Sequence, residues 1–333
     1  MVRTAVAATI FLAAISAPAQ TYSITDLGTL GGSYSQANAI AGWGQVAGVS
    51  ETTAGEYHAF VYSGRTMADL GTFGGTQSSA VAINNNSQVA GFYYDHGYRA
   101  FLLTGGRIVD LGNLGANYAI GYALNDSGLV VGSSMTPAKN EHAFLFDGQM
   151  HDLGTLGGDE STARSINASG EITGYAYDAN GNFLAFLWRR GTMTSIGTLG
   201  GDWSVGNSIN NSGHIVGQAY LAGNAKAHAF LYDGAMHDLG ELGGGYSNAL
   251  AVNSTGTEIV GYASMGSGAG HAFLYSGGKM RDLNGLIPSR SGWILVAANG
   301  IDDTGQIVGY GLLRGEQHAF LLTPSVVGRR RAS

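Results

Sequence analysis

The sequence has no cysteine, so its fold does not rely on disulfides. Proline is nearly absent, at 4 of 333 residues, whereas glycine appears 55 times. Glycine without proline, spaced regularly between short apolar pieces, reads as turns and not as disorder. Charge is sparse too: 12% of residues are charged and the formal net charge is -7. That is no electrostatic footprint for nucleic acid, which is excluded as a partner. Beyond the N-terminus no apolar run approaches the ~20 residues of a membrane span. The GxxxxGK[ST], G-x-S-x-G and H-E-x-x-H signatures are missing, so phosphate cradling and the common hydrolase elbows have no sequence support.

What the chain does have is a repeat. Its clearest copy runs from His142-Ala-Phe-Leu-Phe146 through Met150-His-Asp-Leu-Gly154 to Gly157-Gly158. The Phe of the Ala-Phe pair recurs at Phe60, Phe101, Phe144, Phe186, Phe230, Phe273 and Phe320, in steps of 41 to 47 residues. Each of the seven copies carries four apolar pieces: one ending in Ile-Asn, one of the Ile-Val-Gly type, the His-Ala-Phe piece, and Met-x-Asp-Leu-Gly. Pieces of this length, rich in Val, Ile, Phe and Tyr and closed by Gly, Asn and Asp, predict strands. Asn-x-x-Gly, as in Asn210-Asn-Ser-Gly213, suits a type I turn with a G1 bulge, and Asp-Gly, as at Asp233-Gly234, suits a tight hairpin. Four antiparallel strands at this period make a β-propeller blade. The fold expected is therefore all-β, a seven-bladed β-propeller.

The ends of the chain bear on ring closure. After His318–Leu322 no Met-x-Asp-Leu-Gly strand follows, while an unpartnered copy, Tyr22-Ser-Ile-Thr-Asp-Leu-Gly28, stands near the start. The N-terminal strand is thus expected to complete the seventh blade and close the ring, removing exposed edges. Ahead of it, Arg3, the apolar run Ala5–Ile15 and Ala17-Pro-Ala19 describe a secretory signal peptide over residues 1–19. Residues 20–323 then form one domain and residues 324–333 a tail. An exported monomer is expected, extracellular or periplasmic.

The string His-Ala-Phe-Leu-Tyr-x-Gly-Gly-x-Met-x-Asp-Leu-Gly-x-Leu-Gly-Gly, followed by Ile-Asn-x-x-Gly-x-Ile-Val-Gly, resembles the bacterial extracellular HAF-repeat family from Tyr22 to about Thr323. The resemblance implies an exported bacterial repeat protein and no particular activity. Departures occur: His of His-Ala-Phe is Arg99 in the second copy and Leu184 in the fourth, Asp-Leu-Gly is Ser195-Ile-Gly197 in one, and Ala41 stands where others have Asn.

Five of the nine histidines, His58, His142, His228, His271 and His318, share one repeat position. A metal needs ligands converging within about 2 Å of one ion, and a ring holds equivalent positions apart. A blade-stabilising role, through a hydrogen bond to neighbouring backbone, is expected instead. The repeated Asp26, Asp69, Asp110, Asp152, Asp238 and Asp282 are read as strand-end or turn acceptors, not calcium ligands. No metal, cofactor or catalytic residue is assigned. The sequons at Asn85, Asn125, Asn167, Asn210 and Asn253 are by-products of turn composition.

Recognition is expected where the copies vary. Two residues after the double Gly they carry Tyr34, Gln77, Tyr118, Glu160, Trp203 and Tyr246, with Trp293 near the matching place in the seventh. If the Ile-Asn strand is innermost, these lie where the crossover enters the central channel, on the face that also holds the most variable loops. Tyr34, Tyr118, Trp203, Tyr246 and Trp293 form an aromatic platform there, with Asp159, Glu160 and Asp202 as polar partners. Aromatics offer large apolar area of fixed geometry, suited to sugar faces or protein hot spots. The bland reading is that they pack between blades. The expected function is a non-catalytic binding propeller for a surface polysaccharide or an exported protein. The alternative is a glycan hydrolase or lyase with Asp159, Glu160 or Asp202 as acid and base, which requires two carboxyl groups about 5 to 10 Å apart.

Overall fold

The computed structural model describes residues 20–325, and the expected signal peptide and most of the tail lie outside them. Apart from one 3-10 turn, Leu283–Gly285, all regular structure among the described residues is β. The strands follow the repeat. In the fifth copy Gly200–Ile209, Ile215–Leu221, Ala227–Tyr232 and Met236–Asp238 pair successively and antiparallel.

A single row across this ladder explains most of the repeated letters: Gly206, Gly217, Phe230 and Asp238 lie side by side. A Cβ on Gly217 would collide with the Val205 carbonyl oxygen and touch the Phe230 ring, so the ring packs where only glycine fits. The same Gly-Phe pairing recurs in every copy, from Gly48–Phe60 to Gly309–Phe320, and all seven Phe are fully buried. Burial of each contributes about 1.5–3 kcal/mol. They anchor seven small cores, one per seam.

Two side chains tie successive ladders together. Ser204, fully buried on its first strand, accepts from the Ala185 N–H (2.9 Å) and donates to the Gly197 carbonyl (2.6 Å), both in the preceding copy. Ser35, Ser78, Ser161 and Ser247 do the same. Second, the turn asparagines form a relay: the side-chain amides of Asn84, Asn125, Asn167 and Asn210 donate to the carbonyls of Asn125, Asn167, Asn210 and Asn253 respectively. Each is buried, and its Oδ1 also accepts from backbone N–H groups two and four residues on, as Asn210 does from Ser212 and His214. Gly213, at φ +80°, lets this turn close. Four of the sequon asparagines are therefore occupied buried groups.

The first strands stand side by side around a circuit. Gly31–Ile40 packs beside Gln77–Ile83, then follow Ala119–Leu124, Gly157–Ile166, Gly200–Ile209, Gly243–Val252 and Trp293–Ile301, which contacts Gly31–Ile40 again. The last ladder, Trp293–Ile301, Ile307–Leu313 and Glu316–Pro324, takes Tyr22–Asp26 as its fourth strand.

One local expectation needs correction. The double-glycine segment is not a separate crossover loop: in four copies it begins a ten-residue first strand, with Gly200 paired to Leu221. Glycine permits this start, since Gly31, Gly157, Gly200 and Gly243 all have φ between +102° and +108°.

Candidate functional site: the channel and its two mouths

The seven first strands enclose a cavity of about 590 Å³, within the usual range for ligand pockets. One residue per copy, just ahead of the small residue that precedes the Ile-type position, lines it: Asn38, Val81, Tyr122, Arg164, Asn207, Leu250 and Asn299. The three asparagines donate to main-chain carbonyls of the next first strand, Ala80, Ala249 and Ala37, each at 2.8 Å. Arg164 is the single charged side chain in the lining. Its Cζ lies 5.8 Å from the centre of the Tyr122 ring and 5.4 Å from that of Tyr175, within cation–π range. Burial pushes the Tyr122 phenol up, and the Arg164 charge opposes that rise.

The two ends of the channel differ. One carries the asparagine turns, with Ile40, Ile83, Leu124, Val252 and Ile301 beneath them. The other carries the aromatics foreseen as a platform, and these pack into the seams. Tyr34 meets Tyr57 edge-on at 5.4 Å, donates to Gln36 Oε1, and enters the channel lining. Tyr118 meets Tyr98 at 5.8 Å. Trp203 stacks on Phe183 of the preceding ladder, 5.7 Å between centres and 4° between planes, with Tyr220 on its other flank. Tyr246, 37% exposed, donates to Gln218 Oε1 and meets the Tyr262 hydroxyl at 3.3 Å. Trp293 lies edge-on to Phe320 and His318. Burial raises the phenols of Tyr34 and Tyr118, and that of Tyr246 to about 12. Of the five, only Tyr34 reaches the central cavity, so they do not form one continuous platform there.

The carboxylates are also divided. Asp159 and Glu160 line a surface depression with Tyr177 and Asp178. Asp178 closes its own turn, accepting from Asn180 and Asn182, and these bonds hold its carboxyl below the ordinary range. Asp202 lies outside that depression, its carboxylate accepting from Asn224 Nδ2 at 2.7 Å.

The repeated histidines bond a carboxylate, not backbone. His Nδ1 and the Asp of Asp-Leu-Gly pair in His58–Asp69, His142–Asp152, His228–Asp238, His271–Asp282 and His318–Asp26, all at 2.8–3.0 Å. The Asp also caps the N–H two residues on, as Asp152 does for Gly154. Arg99 preserves the link, donating to Asp110 at 3.0 Å. In the fourth copy both partners are replaced together: Leu184 cannot pair, and Ser195 keeps only the capping bond to Gly197. That joint loss was the visible sign of the pair. Among the described residues no group of three or more His, Asp or Glu is placed to hold a metal ion.

Solved structures with similar architecture are β-propellers. A puromycin-hydrolysing peptidase from Mycobacterium tuberculosis superposes with a TM-score of 0.58 at 12% identity, covering 93% of this chain and 52% of that one. YCF48 bound to D1 peptide gives 0.53 at 10% identity, covering 92% and 97%. TolB from Acinetobacter baumannii gives 0.50 at 12% identity, covering 86% and 64%. This chain therefore spans about half of the peptidase and just under two thirds of TolB. The likeness shows the fold alone: the protein is a β-propeller. No protein-family model matches the sequence, and no curated protein does.

Proposed function

We propose that the chain is an exported, non-catalytic binding propeller of the HAF-repeat type, recognising a surface polysaccharide or another exported protein at the variable end of its channel. In this reading residues 20–323 are one domain of seven four-stranded blades, Tyr22–Asp26 closes the ring, residues 1–19 direct export, and the protein acts as a monomer. The pairing of Tyr22–Asp26 with Glu316–Pro324 and the circuit of first strands support the ring. No helix among the described residues is long and apolar enough to cross a membrane.

The observation that carries the binding reading is the channel: a ligand-sized cavity with aromatic, amide and guanidinium groups in its wall and no carboxylate pair. The hydrolase or lyase alternative draws on Asp159 and Glu160, but Asp202 is committed to Asn224 elsewhere. Fold alone does not decide between the two, so the site must. The test is binding of the mature chain to an array of bacterial polysaccharides, with Tyr34→Ala and Tyr122→Ala, both in the channel wall, alongside. Specific binding that weakens in folded variants supports the reading. Release of reducing ends from a bound glycan would replace it with the enzymatic one.

A further inference from the structure

The channel wall holds one cation and nothing to neutralise it. The ion-paired arginines are Arg99, with Asp95 and Asp110, and Arg189, with Glu171; Arg164 is not among them. Glu141, whose charge is felt by Tyr118 and Tyr122, forms no ion pair with Arg164 and accepts from Thr162 Oγ1 at 3.2 Å. In a chain of formal net charge -7, an exposed, unneutralised guanidinium inside a cavity is a local exception to the prevailing field. Two tyrosine rings flank it. Cation–π contact with ring faces uses none of the guanidinium N–H donors, which can bind a planar carboxylate through two parallel hydrogen bonds.

We infer that the channel takes a carboxylate-bearing sugar chain, with the uronate carboxylate on Arg164 and the sugar rings against Tyr122 and the neighbouring aromatic and amide wall. This deepens the binding reading above and rests on it. The wall offers both Tyr34, Phe92 and Tyr122 and Asn38, Asn207 and Asn299, which suits a ligand that presents both C–H faces and hydroxyl edges. A volume of about 590 Å³ admits a few sugar residues and not a folded partner.

The test is calorimetric titration of the full mature chain with tetragalacturonate and with its fully methyl-esterified form, which removes the charge and keeps the sugar. Arg164→Gln and Arg164→Lys are run beside it, with oligoglutamate as an acidic peptide. Arg164 is exposed, so both variants should melt with the parent. The expected result is uronate binding at least tenfold tighter than the ester, a loss of at least tenfold in Arg164→Gln, and partial retention in Arg164→Lys. Equal affinity for acid and ester, or no effect of Arg164→Gln, overturns the acidic-ligand inference while leaving a neutral-glycan propeller intact. Binding of oligoglutamate alone overturns it in favour of an acidic peptide. Silence with all three overturns it and leaves the polysaccharide reading to be decided by the array.

Discussion

The two ends of the channel are built from the same strands and follow different rules. At one end the turns repeat almost without change, and the side chains of Asn84, Asn125, Asn167 and Asn210 are each spent on their own turn and on the next one. At the other the same strands carry Tyr, Gln, Glu or Trp near their first residues, and the loops between the second and third strands change in length and composition from copy to copy. Uniformity marks the end whose chemistry is structural, because a relay works only if each member presents the same donor. Variation marks the end released from that duty, where recognition can be placed.

The comparison breaks most sharply at Asn167. Its side chain is buried, accepts from Ser169 and Glu171, and donates to the Asn210 carbonyl. Asn167→Ala leaves these groups unpaired and should cost about 2–4 kcal/mol in denaturant unfolding. Tyr246→Ala at the opposite end should cost under about 1.5 kcal/mol, since much of that ring is exposed. Equal costs would erase the distinction.

A smaller effect sharpens the role of the His–Asp pairs. His142→Leu and Asp152→Ser each should destabilise by about 1 kcal/mol, and the double variant by clearly less than their sum, because the fourth copy already has Leu184 and Ser195 at these places. A double-mutant cycle with additive values would make the pairs incidental.

The relay is defective where the ring closes. Asp302 occupies an asparagine position; its Oδ1 serves Thr304 and Gln306, while its buried Oδ2 has no partner. An amide nitrogen there would face Ala41, the turn residue of the next ladder, as the other asparagines face theirs. Asp302→Asn should therefore stabilise by about 0.5–1.5 kcal/mol, read as a rise in melting temperature. A fall would show that the carboxylate is itself required.

The least effect is titration. The Tyr246 phenol is raised to about 12 from 10.0, so folding favours its protonated form. That contribution is complete below pH 10 and is lost as pH rises through 12. Phenolate absorbance should show a late-titrating group of tyrosines that also holds Tyr34, Tyr118 and Tyr122, and Tyr246→Phe should lower its amplitude by one phenol. A normal titration would place Tyr246 in open solvent.

Much of the fold was legible because backbone needs dictate letters. Phe230 over Gly217 recurs in every copy because a Cβ on the glycine would strike backbone, and the Ser204 tie recurs in five copies, with Ala119 and Leu295 at its place in the other two. The pairing of His142 with Asp152 was legible in the joint replacement at Leu184 and Ser195 but was read as two separate roles. The aromatics stand near the outer ends of the first strands, where ladders meet, so Trp203 stacks on Phe183 of the preceding ladder. Arg164 carries no repeat signature, because it stands at a non-repeating position within an otherwise repeated strand. That variability, Asn38, Val81, Tyr122, Arg164, Asn207, Leu250, Asn299, was itself the signal for the channel wall.

The most direct test of the two-ended channel is hydrogen exchange of the mature chain with and without saturating tetragalacturonate. Slowed exchange in Ala119–Leu124 and Gly157–Ile166 and in the loops at the aromatic mouth, with the asparagine turns unchanged, is the predicted result. Protection confined to the asparagine turns or to the outer strands would contradict it.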